Sequence, residues 1–445
     1  MKSISHLRQP FPTIRYRSFK YLFMKCIQRL TSLGCLFLLS LCLFCLSIFF
    51  ALYSAHISSG LEFEMSIDLE CLCVYENVKY DFCYHLPENH SIRGEKFTCE
   101  NAHFLHSLGL LKKESQGVAK TIGMYVDLEM MELPTAVMVT AFSEDHWPEA
   151  RRLISTIRHF WPYQKVVVYD LGLEAVTVYA VRQLCNIEYR KFDFSAYPPY
   201  VHRLGEFRWK PLIIAATLQE FGAIWYLDTS VVFKKGDLNH VYELVRCKRM
   251  RSRSTVFRMV PSVGYRDRRE TTSALESGWN QRLWRSNLRE CAKSTYLLHS
   301  FTGHGIFAAT HPETYRFFPT NFDEIKKQKA KMYEAGIIFA VYTADTVANI
   351  LRWYVACALE EDCMGSRTPL SYCNFNADRF AVFANCHRYD QSVVNLLIAN
   401  AFFYDRHYYT SEIVDFFKII RGNAAIIADD ALHCEQLVEK FNSKR

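Results

Sequence analysis

Two aspartates stand where an α/β chain commonly does chemistry. Asp228 ends the apolar run in IWYLDTSVVF (224–233), and Asp390 lies just before the helix-periodic QSVVNLLIANAF (391–402). An acid at the carboxyl end of a buried parallel strand faces the crevice where such sheets bind ligands. An acid at a helix start sits in the positive end of the helix dipole, so Asp390 is expected to stay ionised near pH 7. Each has a plain alternative: Asp228 as a turn residue, and Asp390 as an N-cap, a position that favours Asp. Asp170 ends a second apolar run, KVVVYDLGL (165–173), and the AFSEDH turn, which begins at Ala141, follows a third. Thr302-Gly303-His304-Gly305 reads as a glycine turn that lets backbone approach a ligand closely.

The elements around these residues alternate. TAVMVTAF (135–142) reads as a buried strand, followed by a helix with Trp147, Ala150, Ile154, Ile157 and Trp161 on one face and Ser143 or Asp145 as N-cap. A strand at 165–173, a helix at 175–184 and a more exposed strand at 187–194 come next. KPLIIAATLQEFG then has Pro211 in its first turn and Gly222 at C′, and leads into AIWYLD. Strands alternating with helices of this length predict a mostly parallel sheet covered on both faces. Asp170, Asp228 and the AFSEDH turn all fall at the carboxyl ends of its strands. Residues 250–300 read as a polar excursion, and the glycine turn at 302–305 is expected to feed a short strand with a helix at Pro312.

Half of the 445 residues are hydrophobic and 15% are aromatic, which excludes a disordered chain. The net charge of +7 sits in Lys2, Arg8, Arg15, Arg17, Lys20, Lys25 and Arg29, leaving 46 basic against 46 acidic residues. Bulk charge therefore gives a nucleic-acid-binding face no support, and no such partner is expected. Residues 30–55 carry no charge. About 20 apolar residues span a bilayer, whereas a signal-peptide core has about 7–15. A retained anchor with a cytoplasmic N-terminus is predicted, which is type II topology. Twelve cysteines follow the span, from Cys71 to Cys434, and read as a disulfide framework in an oxidising compartment, with connectivity left open. Zinc is disfavoured there, since these twelve include no CxxC pair and CLC (71–73) spaces its thiols too closely. The expected organisation is a basic tail (1–29), an anchor (30–55), a stem with a small Cys-containing subdomain (56–132), a catalytic domain (133–410) and a C-terminal helical extension (411–445).

In chain order, VTAFSEDHW, VVVYDLGL, FRWKPLII, IWYLDTSV and CHRYDQSVVNLL resemble the DUF1647 family of nematode membrane proteins, itself similar to GT-A nucleotide-sugar glycosyltransferases. The resemblance spans about residues 133–410. It implies a GT-A-like catalytic domain in which a D-x-D motif holds a divalent cation on the donor diphosphate. Asp228 matches the first acid, and Ser230 departs from the second. Mn²⁺ or Mg²⁺ would then be held weakly, by one carboxylate, diphosphate oxygens and water. His407, in DRHYY, resembles the family's late metal- or phosphate-binding histidine, with a surface histidine as the alternative. Gly303, His304 and Gly305 resemble the glycine loop near the donor sugar, and Ala141 and Asp170 would line the donor side. Arg208 and Lys210 would stabilise charge growing on the diphosphate. Asp390 would serve as base if the anomer inverts, or orient hydroxyls if it is retained.

The function so implied is a type II membrane glycosyltransferase of the Golgi or ER, with its catalytic domain lumenal. It would move sugar from a nucleotide sugar, expected to be a uridine diphosphate sugar, to a glycan or glycoprotein acceptor. The alternative, favoured by Ser230, is a glycosyltransferase-like pseudoenzyme or binding protein that recognises carbohydrate or protein. The topology is directly testable. Residues 56–445 should resist protease in intact microsomes, and the sequon Asn89-His90-Ser91 should accept a glycan. Digestion of the large domain without detergent would reverse the orientation.

Overall fold

The computed structural model describes residues 68–111, 125–253, 279–365, 372–422 and 432. The basic tail, the span expected at 30–55 and residues 254–278 of the polar excursion lie outside these. Among the described residues no helix is long and apolar enough to cross a membrane. The chain from Asp68 onward forms one compact unit.

That unit opens with two hairpins: β1 (Leu72–Tyr75) with β2 (Val78–Asp81), and β3 (Cys83–Leu86) with β4 (Asn89–Lys96). The stem with a Cys-containing subdomain expected over 56–132 is described over 68–111 and 125–132, and its hairpins are disulfide-tied and packed on the main body. Cys73, Tyr80, Phe82, Tyr84 and Phe97 belong to the same hydrophobic core as Leu351, Val355 and Leu397. Isolated hairpins are marginal in water, and these bury their aromatic rings on the main body instead. Tyr84 meets Phe318 and Trp353 edge-on, with centroids 5.1 and 5.5 Å away. The predicted disulfide framework is present. It includes Cys71–Cys83, Cys73–Cys99, Cys247–Cys291, Cys357–Cys363 and Cys373–Cys386, and Cys185 is disulfide-bonded as well.

The central sheet is mixed. β5 (Val137–Phe142), β6 (Val166–Asp170), β7 (Ile187–Lys191) and β8 (Ala223–Leu227) run parallel in the order 8-5-6-7. β13 (Ile337–Val341) and β10 (Tyr296–Leu297) continue the sheet antiparallel beyond β8. β5, β6 and β8 are buried at every position, as parallel strands covered on both faces must be. Their side chains alternate between two cores. Val139, Val167, Ile224 and Tyr226 face α3 (Trp209–Phe221), α5 (Arg352–Ala358) and α6 (Asp390–Ala401). Met138, Val168, Trp225 and Leu227 face α1 (Trp147–Phe160) and α4 (Asn239–Arg253). α2 (Ala175–Arg182) connects β6 to the edge strand β7. The α/β class with a largely parallel sheet therefore holds. α3 has no polar face because it is buried between the sheet and α5, and Gly222 ends it at φ 75°.

Three local expectations differ. Neither Ser143 nor Asp145 caps α1; the Ser143 hydroxyl donates to Asp145, and a 3₁₀ turn at Glu144–His146 leads into the helix. The glycine turn is itself a strand, β11 (Phe301–Gly305), paired with β12 (Lys331–Tyr333) through an irregular register. The start of the C-terminal extension, expected to be helical, supplies β14 (Phe417–Ile419), which pairs antiparallel with β9 (Val231–Phe233); residues 423–431 and 433–445 of that extension lie outside the described residues. β9 follows the Asp228 turn and would otherwise expose unpaired backbone groups.

Candidate active site

Backbone contacts fix the two acids. Asp228 follows β8 directly and donates its N–H to the Gly336 carbonyl at 2.7 Å. Gly336 lies in the turn between β12 and β13, where a Cβ would stand 2.8 Å from Asp228 Oδ2, so only glycine fits without a shift. The start of α6 grips the same turn. Gln391 Oε1 accepts from the Ala335 N–H at 3.4 Å, and the Asn395 amide both accepts from and donates to the Tyr333 backbone at 2.8 Å. Asp390 is the first residue of α6 and makes no N-cap bond with its side chain. Tyr389 before it has φ 45° and ψ −116°. Strain of this kind in a bulky residue persists only where surrounding packing imposes it.

Lys210 joins the acids. Its Nζ lies 3.0 Å from Asp228 Oδ1 and 2.8 Å from Asp390 Oδ2, and its side chain is 2% exposed. The stem passes the rings of Phe207, Trp209 and Tyr226, with Nζ 5.1–5.9 Å from their centroids. The Lys210 ammonium is the partner of Asp390 Oδ2. The Tyr226 hydroxyl interacts with Asp228, and the buried Tyr296 and Tyr354 hydroxyls have no hydrogen-bond partner among the described residues. They couple electrostatically to Asp390, and burial holds each neutral.

Burial pulls the Lys210 ammonium toward neutrality, but the two carboxylates outweigh it and keep the charge in place. Burial also raises the Asp390 carboxyl to about 6, against the pull of Lys210 and with added push from Asp228. The helix start expected to dominate Asp390 is thus overruled by desolvation, although the carboxylate form still prevails at pH 7.

The other anticipated residues go elsewhere. Arg208 is fully buried, pairs with Glu206 at 2.5 Å and donates to the carbonyls of Ala358, Glu360 and Glu361. It ties α3 to the segment after α5 and has no phosphate role. Asp170 closes its own turn, accepting from the Gly172 and Leu173 N–H groups at 2.7 Å and from the Tyr189 hydroxyl at 2.5 Å. Ala141 is a buried position of β5 opposite Tyr169. Gly305 lies against Phe380 and Gly303 against Arg379, so another segment of the chain meets the glycines. His304 stacks on Phe375, and burial lowers its pKa.

A divalent cation does not fit the anticipated donor set. Asp228 is the single acid of its turn, and its Oδ1 already faces the Lys210 ammonium. Ser230 is buried, and its carbonyl accepts from the Ile420 N–H at 2.8 Å. His407 Nε2 sits 2.7 Å from Glu290 and shares no contact with Asp228 among the described residues. Mn²⁺ or Mg²⁺ needs several oxygen ligands free of a competing cation. Elsewhere Cys71, Asp81 and Cys83 cluster within ligand distance, but both thiols are spent in a disulfide.

Residues absent from the sequence reading also border the site. Glu334 opens the turn that touches Asp228; burial raises its pKa, and its carboxylate lies 3.7 Å from Arg421. Arg388 lies two residues before Asp390, inside the quoted CHRYDQ stretch, which was the one available signal. Nothing local marked Glu334, or the tyrosines of three separate elements.

Residues 71–215 match the family model described as "Protein of unknown function (DUF1647)". The resemblance drawn from the sequence therefore holds over a stretch that begins earlier than expected, takes in the hairpins and ends before Asp228. No curated protein matches the chain significantly. Similar solved structures include the apo WbbM bifunctional glycosyltransferase, at 12% identity and TM-score 0.30, covering 62% of this chain and 38% of that one. Galactosyltransferase LgtC in complex with donor and acceptor sugar analogues follows at 13% and 0.30, covering 69% and 95%. Mouse xyloside xylosyltransferase 1 gives 10% and 0.30, covering 62% and 84%. At these TM-scores none of them carries the functional reading.

The reassignment of Arg208 has a direct consequence. Arg208→Gln should lower the unfolding free energy by about 3–5 kcal/mol, because it strands a largely buried partner. Denaturant unfolding measures this, and unchanged stability would return Arg208 to the list of ligand-binding candidates.

Proposed function

We propose that the chain is a GT-A-type glycosyltransferase. It transfers a sugar from a nucleotide sugar, a uridine diphosphate sugar in this reading, to a glycan or glycoprotein acceptor. Its N-terminal anchor would hold it in the Golgi or ER membrane with residues 56–445 in the lumen; the disulfides support an oxidising compartment. One observation carries the reading. At the carboxyl edge of the parallel strands, a strand-end acid and a helix-start acid share one buried ammonium. Ligands of such sheets bind beyond that edge.

Each residue then has a task. The bond between the anomeric carbon and the diphosphate breaks, and its electron pair leaves with the diphosphate. A bond from the acceptor oxygen to the anomeric carbon forms. In an inverting transfer the acceptor proton passes to a carboxylate oxygen of Asp390. In a retaining one the acceptor proton passes to an oxygen of the departing diphosphate, and Asp390 orients hydroxyl groups. Lys210 keeps Asp390 ionised despite its burial and fixes its direction relative to Asp228.

A binding protein without turnover is the second reading. It is favoured by Asp390 being only 4% exposed and already ion-paired. A transfer assay over a panel of nucleotide sugars separates the two. For the transferase with Asp390 as base, Asp390→Asn lowers turnover by about 10²–10⁴. A base works deprotonated, so parent activity should rise as pH passes through about 6. That limb should be missing from the variant. A parent protein that turns over no nucleotide sugar would decide for the binding protein.

A further inference from the structure

The misfit of a divalent cation leaves a question for the proposed donor: what meets the charge of its diphosphate. The 420–422 segment is fixed beside the Asp228 turn. Ile420 donates its N–H to the Ser230 carbonyl, Arg152 donates to the Ile420 carbonyl, and the Gly422 N–H reaches Glu149 at 2.6 Å. Arg421 is thereby held two backbone contacts from Asp228. Its guanidinium is 73% exposed and has a loose 3.7 Å approach to Glu334 as its ion pair.

Arg388 comes from the other side. Its N–H is tied to the Ala309 carbonyl at 3.2 Å and to Ser392 Oγ at 3.0 Å, so its backbone is rigid. Its guanidinium is half-buried and makes no hydrogen bond or ion pair among the described residues. Arg388 and Arg421 feel each other's charge, and both feel Glu334. Arg388 also acts on His304, in β11. Arg421 thus approaches the carboxylate beside Asp228, and Arg388, two residues before Asp390, lies within electrostatic reach of both. A partly desolvated cation lacking a counter-charge is costly, and a planar guanidinium offers paired donors that match phosphate oxygens. Arg208, by contrast, has spent its donors inside the fold.

We propose that Arg388 and Arg421 form an anion subsite beside Asp228 that takes the diphosphate of the donor without a divalent cation. This rests on the transferase reading for the identity of the donor, but the subsite can be tested apart from turnover. The probe is inorganic pyrophosphate, titrated calorimetrically into the full-length chain in EDTA and again in Mn²⁺. Binding is expected in EDTA, with little gain from Mn²⁺. Losing one charged hydrogen-bonding group should weaken it about 10- to 100-fold, in Arg421→Gln and in Arg388→Gln alike. Arg421 is exposed, so its variant should fold even if Arg388→Gln does not, and Arg421→Lys should recover part of the affinity. Three results would overturn the subsite: no binding in either buffer, binding that requires Mn²⁺, or parent-like binding by Arg421→Gln. Metal-free binding together with a failed transfer assay would sink the transferase reading alone and leave the subsite standing.

Discussion

Lys210 Nζ lies within 3.0 Å of carboxylates from two different elements, and almost no water reaches it. An ammonium in that position is tolerable only if the carboxylates stay put, and the buried carboxylate of Asp390 is tolerable only if the ammonium does. The surrounding architecture serves this mutual requirement. α3 is buried from Trp209 through Ala215, so its first turn delivers Lys210 beneath β8 rather than to solvent. The turn between β12 and β13 narrows to glycine at position 336 so that Asp228 fits beneath it. Gln391 and Asn395 bind the start of α6 to that turn, at the expense of a strained Tyr389.

The Tyr296 and Tyr354 hydroxyls lie buried beside the ion triad without hydrogen bonds among the described residues, but so do polar atoms of Thr140, Asn287 and Tyr409 elsewhere in the core. The site is marked instead by its three buried or half-buried charges. Charge at this site is balanced by the chain's own cations: Lys210 within, Arg388 and Arg421 at the rim. That arrangement differs from the metal-centred one implied by family resemblance, and the difference begins with Ser230 where a second acid was expected.

Much of the sheet was legible because buried parallel strands are short apolar runs, as in VVVYD and AIWYL, and because their ends are marked by polar residues. Asp228 and Asp390 were legible for the same reason: each interrupts a strong hydrophobic pattern. What could not be read was long-range. Arg208 and Lys210 look alike in the sequence, two residues apart. Yet one closes on carbonyls after α5 and the other reaches across to α6. The cysteine-rich hairpins carried no sign that their rings would join the main core. Glycines at 303 and 305 suggested room for a ligand, but a left-handed backbone at Gly303, φ 86°, and the close approach of Phe380 to Gly305 explain them. β14 was unreadable because its pairing depends on the free edge of β9, nearly two hundred residues earlier.

The coupling between Lys210 and Asp390 can be measured directly by a double-mutant cycle on unfolding free energy, with Lys210→Met, Asp390→Asn and the pair. If one ammonium holds the two acids together, the single changes should not add. The double variant should be more stable than their sum predicts by about 1–3 kcal/mol, since each single change strands a buried charge that the other removes. Additivity within about 0.5 kcal/mol would contradict this. Lys210 and Asp390 would then be neighbours without a shared interaction.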